Sequence, residues 1–559
     1  MDRRFLAAIG LMMLVVVAPS LLFKRPARPV PSARAPGTIG APDTTATAQV
    51  RDAGVPTPAP TALPAPVAAA NLPEDTVTVR SGLYEYSVST RGARIIGARL
   101  LRYRSMAGGD TGSVAELVRR GDGLFALTLI SGSDTLPLRD WSFTPSASDV
   151  RVSGATPVTF TATRGAVTVE LTYTFSPDDY QVAVRGRVAG LGPTGGLLLV
   201  GLGEGIRNTE ADSVANARDF ALVVKPAGKD PEAIPFRKVD AGTPRVEPGP
   251  FSWAAVKSKY FVLGVFAADS AARWSAAELT RLDPARMPHF AGVRLSLPVA
   301  ASGGFGWRTY AGPMEYPRLG AIGDEFNDVN PYGWPGFRTV MRPFAIGFRA
   351  FFVWMHEHLH LSYGLVLILT GILVRVVLWP LNQKAMRSAM EMQAIQPKIQ
   401  ELQTRYKNDP QVLQQKMFAL YKAHGVNPMG GCWPMLLPMP ILLALFFVLQ
   451  GTIEIRGVPF LWFPDLARSD PYFIIPIISG ISMFALSKLG QRGLPPNPQS
   501  QMMVYMMPVM MTIFGFNFAS GLNLYWVSSN LASLPQQWLL GQERMRRQGQ
   551  PAVVVNTKR

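Results

Sequence analysis

Residues 361–381 read LSYGLVLILTGILVRVVLWPL, and Arg375 is the single charged residue in the run. A helix needs roughly 20 apolar residues to cross the hydrocarbon core of a bilayer. Within that core the backbone must satisfy its own N–H and C=O groups, so a crossing segment of this composition is helical. Four more apolar runs follow at 433–453, 472–489, 502–518 and 522–540, and another stands at 5–23 behind Arg3 and Arg4. The expected architecture is therefore a polytopic α-helical membrane protein with six transmembrane helices. The first run is long for a signal peptide and lacks a clean small-residue cleavage pattern, so 1–23 is read as an anchor.

Loop charge gives the orientation. Residues 382–425 hold five Lys and two Arg against three acids. Lys488 and Arg492 face no acid in their loop, and Arg544, Arg546, Arg547, Lys558 and Arg559 outweigh Glu543 after residue 541. These segments and both termini are expected on the cytoplasmic side. The loop 454–471, with two Arg and three acids, faces the other way. Most of the formal net charge of +17 thus collects on a cytoplasmic surface, where it suits ribosome contact rather than recognition of a particular nucleic-acid sequence.

Between the first two runs lie two segments of different character. Residues 24–73 contain eleven prolines and no periodicity, the composition of an extended linker. From 74 to 325 the pattern has period two. In VTVELTYTF, Val167, Val169, Leu171, Tyr173 and Phe175 alternate with polar residues, and SPDDY then turns into the next strand. This predicts a large antiparallel β-sandwich in a periplasm-like space. Residues 335–360 follow. Phe337, Val340, Met341, Phe344, Phe348, Phe351, Phe352, Met355 and Leu359 recur at helical spacing, with Arg338, Arg342 and Arg349 on another face. That pattern predicts an amphipathic helix lying in the membrane interface. Residues 382–425 predict a helical hairpin, with Ile399, Leu402 and Tyr406 on one leg and Leu413, Met417, Leu420 and Tyr421 on the other.

His356-Glu357-His358-Leu359-His360 fits the H-E-x-x-H spacing of zinc proteases. A zinc site needs a third protein ligand on the same side of the membrane. The chain has five histidines; His289 is isolated in the β region and His424 lies in a cytoplasmic loop. Asp324, Glu325 and Asp328 are on the correct side at spacings foreign to zinc proteases. The lone Cys432 supports neither a disulfide nor a cysteine zinc site. No metal or cofactor is expected, and no hydrolytic chemistry. A metalloprotease and a carbohydrate-binding or transport protein are the competing readings, and neither finds a catalytic set.

Arg375 is the informative residue. A charge at membrane depth is costly and lines a polar path, or snorkels to the headgroups. Around it, LVRVVLWPLNQKAMRSAMEMQAIQPKIQELQ, LYKAHGVNPMGGCWPMLLPMPILLALF and SGLNLYWVSSNL resemble the YidC/Oxa/Alb family of membrane protein insertases across about 332–543. The order of segments is similar to the Gram-negative form with a large periplasmic domain. The resemblance implies a five-helix insertase core at 361–541 and a basic cytoplasmic tail at 542–559. It also implies insertase and chaperone activity toward nascent membrane proteins in the inner membrane, alone or with the Sec translocon. It places Arg375 in a hydrophilic groove open to cytoplasm and lipid. The family's substrate-contacting threonine aligns with Gly371, beside Thr370. Its aromatic pair aligns with Tyr525 and Trp526, where tyrosine is usual at the second position, and Asn530 follows on the same helix. Met502, Met503, Met506, Met507, Met510 and Met511 would form a soft surface for varied sequences.

Overall fold

The computed structural model describes residues 74–548 except 192–194, 269–272, 282, 286, 334–336, 426–437 and 494–497. The expected first helix, the linker at 24–73 and residues 549–559 lie outside the described residues.

The β region runs in chain order through β1 (Thr76–Arg80), β2 (Tyr84–Ser89), β3 (Ile95–Arg104), β4 (Val114–Glu116), β5 (Ala126–Ser131), β6 (Asp134–Pro137), β7 (Thr144–Pro145), β8 (Asp149–Arg151), β9 (Thr156–Arg164) and β10 (Val167–Phe175). It continues with β11 (Gln181–Ala189), β12 (Gly196–Gly201), helix α1 (Ser213–Ala217), β13 (Ala221–Pro226), β14 (Glu232–Pro235), β15 (Arg245–Lys257), β16 (Phe261–Ala267), β17 (Trp274–Thr280), β18 (Gly292–Val299) and β19 (Gly304–Pro313). Two sheets result. The smaller has the order β4-β3-β2-β1-β8; the path of the larger runs β6-β5-β12-β18-β17-β15-β16-β19-β11-β10-β9-β7.

The period-two pattern sets the layers. Val169, Leu171, Tyr173 and Phe175 of β10 are buried, and Leu171 pairs with Phe160 while Tyr173 pairs with Val184. On the other face Thr159 and Thr172 hydroxyls bond across strands at 3.0 Å. The inner faces meet through Tyr84 and Tyr86, whose rings lie 6.5 Å from Tyr180 and 5.9 Å from Phe175. The pairing is antiparallel with one departure among the named strands: β1 runs parallel to β8, Thr78 opposite Asp149.

Helix α2 (Tyr316–Ile322) and a short strap then lead to α3 (Arg338–Leu359), α4 (Tyr363–Ala394), α5 (Gln396–Arg405), α6 (Pro410–Ala423), α7 (Pro438–Gly451), α8 (Ile474–Gly490), α9 (Pro498–Gly515) and α10 (Ser520–Gln548). Among the described residues one stretch, Tyr363–Pro380, is long and apolar enough to cross a membrane by length and composition. Shorter apolar stretches occupy Pro440–Gly451, Ile474–Gly490 and Val504–Gly515. A second apolar core joins α3, α4, α7 and α10 through Ala345, Phe352, Val366, Leu367, Leu445, Val448, Leu449 and Leu522.

Two helix ends differ from the sequence reading. Helix α4 continues through Pro380 to Ala394, so what was read as the start of the hairpin prolongs the preceding helix. The two short helices that follow are joined by a turn, with Asp409 Oδ1 accepting from the Val412 N–H at 3.1 Å to cap the second. Helix α10 continues to Gln548, so the segment read as tail begins inside a helix.

Helix α3 also departs in its faces. Met341, Ala345, Arg349, Phe352 and Met355 are buried, while Phe337, Val340, Phe344 and Trp354 are exposed. The apolar set therefore divides between two faces. Arg349 turns inward and pairs with Glu454, and Arg342 pairs with Asp328 at 3.1 Å. Sequence spacing grouped the apolar residues because distant carboxylates, which draw the arginines inward, are invisible to local periodicity.

Candidate functional site

Helix α4 presents two surfaces. Leu365, Leu369, Ile372, Leu373, Val376 and Val377 point outward and are exposed. Val366, Leu367, Thr370 and Gly371 are buried against neighbouring helices. Arg375 lies one turn beyond Gly371 and so shares its side of the helix.

Gly371 sets the distance between α4 and α10. A Cβ there would collide with Ser528 Oγ and lie 3.0 Å from the Tyr525 carbonyl and 3.2 Å from the Ser529 nitrogen. Only a small residue permits the two backbones to approach so closely. One turn on, Arg375 Nε donates to Ser529 Oγ at 2.7 Å. Among the described residues no carboxylate pairs with this guanidinium.

Helix α10 supplies the facing polar row. Tyr525, Ser529, Ser533 and Gln536 follow at intervals of four, four and three and are all buried. Gln536 Nε2 donates to the Trp379 carbonyl on α4 at 3.1 Å. On a second side of α10, Asn530 Nδ2 donates to Ser482 Oγ on α8 at 3.1 Å, and Ser482 donates onward to the Ser479 carbonyl at 2.8 Å. A polar seam thus runs between α4, α8 and α10.

The hydroxyls divide into two groups. Those of Thr370, Ser528 and Ser533 donate to carbonyls of their own helices, at 2.6 Å to Val366 for Thr370 and 2.8 Å to Ser529 for Ser533. Such back-bonding satisfies a hydroxyl in apolar surroundings without a partner helix. Arg375 with Ser529, Asn530 with Ser482 and Gln536 with Trp379 instead bond between helices, and the Ser482 hydroxyl also donates within its own helix.

The six residues singled out from the sequence are thus distributed over four surroundings. Arg375, Gly371 and Tyr525 come together at the α4–α10 crossing. Asn530 belongs to the adjoining α8 side. Thr370 is turned away, and Trp526 packs edge-on against Phe518, which packs against Phe446 of α7. The indole Nε1 of Trp526 is buried without a hydrogen-bond partner. Sequence reasoning assigned no role to Ser529, Ser482, Ser533 or Gln536. The available signal was polar residues recurring at helical spacing inside an apolar run.

The H-E-x-x-H stretch does not form the helical face its spacing requires. Helix α3 ends at Leu359, and His360 adopts the left-handed conformation at φ 52°. His356 stacks on Tyr363 at 4.3 Å and its Nδ1 lies 2.7 Å from the Leu361 carbonyl. His358 stacks on Trp354 at 5.8 Å.

Two family models match the chain. The model described as "60Kd inner membrane protein" matches residues 354–548, and "YidC periplasmic domain" matches residues 76–345. A membrane protein insertase YidC from Syntrophus aciditrophicus (strain SB) is 30% identical over 485 residues, covering 84% of this chain and 85% of that protein. The chain belongs to the YidC family of membrane protein insertases. The YidC of Ralstonia nicotianae is 29% identical over 536 residues, covering 93% and 92% of the two chains. A solved YidC structure, an active insertase with its first transmembrane domain resolved, aligns with 83% of this chain and 94% of its own at 16% identity and a TM-score of 0.33. The β region is the YidC periplasmic domain, and the helical region with the α4–α10 seam falls within the inner-membrane model.

Proposed function

We propose that this protein inserts newly made membrane proteins into the inner membrane through the seam between α4, α8 and α10, with Arg375 as its central charge. Moving polar segments through hydrocarbon costs several kcal/mol for each unsatisfied group. A polar seam shortens the purely apolar distance. The observation that carries the reading is the Arg375–Ser529 hydrogen bond, which holds an arginine inside an apolar bundle without a carboxylate among the described residues. Such a guanidinium is free to attract an acidic segment and to release it.

Tyr525 and Gly371 form the wall beside Arg375, Asn530 the α8 side, and Thr370 and Trp526 the flanking surfaces. A client span leaves sideways over the exposed apolar faces of α8 and α9. Insertion draws on hydrophobic partitioning and uses no cofactor. The full proposal has six transmembrane helices, cytoplasmic termini and a periplasmic β domain. Its partners are nascent chains, the bilayer, the ribosome at the basic hairpin and tail, and the Sec translocon for larger clients.

The test uses paired clients that differ only in acidic residues ahead of their span. Arg375→Lys is expected to retain much of the insertion, since it keeps the charge and loses the planar fork. Arg375→Ala and Arg375→Glu are expected to fail most with the acidic client. Equal, small defects with both clients would overturn the charge mechanism.

A further inference from the structure

The loop between α7 and α8 serves both cores. Ile453 and Ala467 are buried with the β domain, and Ile455, Phe463 and Leu466 with the helices. The same loop covers one end of the bundle. The Phe460 ring fills the space over Gly364 at the start of α4. The Leu466 carbonyl accepts from the Gly521 N–H at 2.9 Å, and the Arg468 carbonyl accepts from the Ser520 N–H and hydroxyl at 2.6 and 2.8 Å, at the start of α10. Asp470 caps α8, accepting from the Tyr472 and Ile475 N–H groups at 3.0 and 2.8 Å. Ser529 lies eight residues beyond Gly521, about 12 Å along the helix. The loop is therefore a lid over the end of the polar seam.

Arg456 fastens this lid to the β domain. Its Nε donates to Glu210 Oε1 at 2.8 Å, Nη1 to the Arg104 carbonyl at 2.9 Å and Nη2 to the Thr209 carbonyl at 3.1 Å. The guanidinium also lies 5.2 Å from the Phe261 ring centre and 5.8 Å from that of Tyr260. The side chain is 5% exposed. Glu210 is itself held by the Thr209 hydroxyl at 2.9 Å. Burying a guanidinium for packing alone is unfavourable compared with an apolar residue of similar size, and breaking one partner out of such a set is worse. A fork matched on three sides fixes a geometry.

We infer that Arg456 is a positioning residue for insertion: by locking the lid to the periplasmic domain it keeps the outer end of the seam shut while the seam accepts a client. The inference rests on the seam reading above, but its first readout does not. In full-length protein carrying Cys432→Ser and Val366→Cys, the new thiol sits on α4 at a fully buried position, two residues beyond Gly364 and its Phe460 cover. Reaction with a membrane-impermeant maleimide from the outer side of proteoliposomes is measured with and without Arg456→Ala. Loss of charge-assisted bonds in a locally opening segment is expected to accelerate labelling about tenfold or more, with insertion of a small client falling in parallel. Glu210→Gln, which leaves the two carbonyl bonds, is expected to show a smaller rise and serves if Arg456→Ala does not fold. Unchanged labelling in folded protein would overturn the latch. Faster labelling with insertion intact would overturn its positioning role, and a wild-type lid whose Arg375 variants insert normally would instead indict the seam reading.

Discussion

Gly371 leaves no room for the threonine that the family resemblance places at its position. The Ser528 hydroxyl and the Tyr525 carbonyl already occupy the space a side chain would need. Gly371→Ala is expected to cost about 1–3 kcal/mol, the usual penalty for overpacking a tight contact, and Gly371→Thr more. Thermal unfolding in detergent measures both. A stable Gly371→Thr protein would show that α4 and α10 do not meet this closely. Arg375 was legible in the sequence because one charge in a 361–381 apolar run stands out. Ser529 was not, since a serine inside a span is unremarkable until folding brings it to a partner 154 residues away. Thr370 was legible only as a neighbour, and its hydroxyl turns back to its own helix.

Elements were legible where their period was carried by apolar residues. The alternation at Val167–Phe175 became β10 because one face of that strand is buried. The five apolar runs after residue 360 each contain a helix, but their ends were misread, since no local signal distinguishes the end of the apolar stretch from the end of the helix. Helix α10 shows the consequence. Arg544, grouped by sequence with a basic tail, is buried and donates through Nη1 to the Gly490 carbonyl at the end of α8. A cation at that place satisfies a terminal carbonyl and complements the helix dipole. Arg546, two residues further on, is exposed. Two variants should therefore separate. Arg544→Ala is expected to destabilise the α8–α10 pair by about 1–3 kcal/mol and to leave ribosome co-sedimentation unchanged. Arg546→Glu is expected to weaken co-sedimentation at low salt, where exposed charges act at longest range, without lowering the unfolding temperature. The opposite pattern would place Arg544 on the surface proposed to meet the ribosome.

At the scale of the molecule, two cores are joined by a strap whose fastening no local pattern announced. Asp324 and Glu325 both take left-handed conformations, at φ 49° and 55°. Trp253 Nε1 donates to the Asp324 carbonyl at 2.9 Å, Lys225 pairs with Glu325, and Lys257 Nζ donates to Asn330 Oδ1 at 2.9 Å. The hydrogen bond from Lys225 holds the Glu325 carboxyl below its ordinary range, and burial pushes the Lys257 ammonium down despite nearby Asp219. Between these ties Phe326 is fully buried, its ring centre 5.0 Å from Trp253, 4.6 Å from Phe266 and 6.1 Å from Tyr310. All its aromatic partners belong to the β-domain core, and none to the helical one. Phe326→Ala should therefore act on one core. Removing a buried phenylalanine costs about 3–5 kcal/mol, and in a domain of this size each kcal/mol moves the melting temperature by roughly 2–4 °C. The periplasmic domain of the full-length protein should melt about 10 °C lower, followed by tryptophan fluorescence through Trp253. The helical far-ultraviolet signal should persist to its original temperature, because the second core keeps its contacts. A coincident drop in both signals would show that strap, lid and latch bind the two cores into a single cooperative unit, and the separate-core reading would fail.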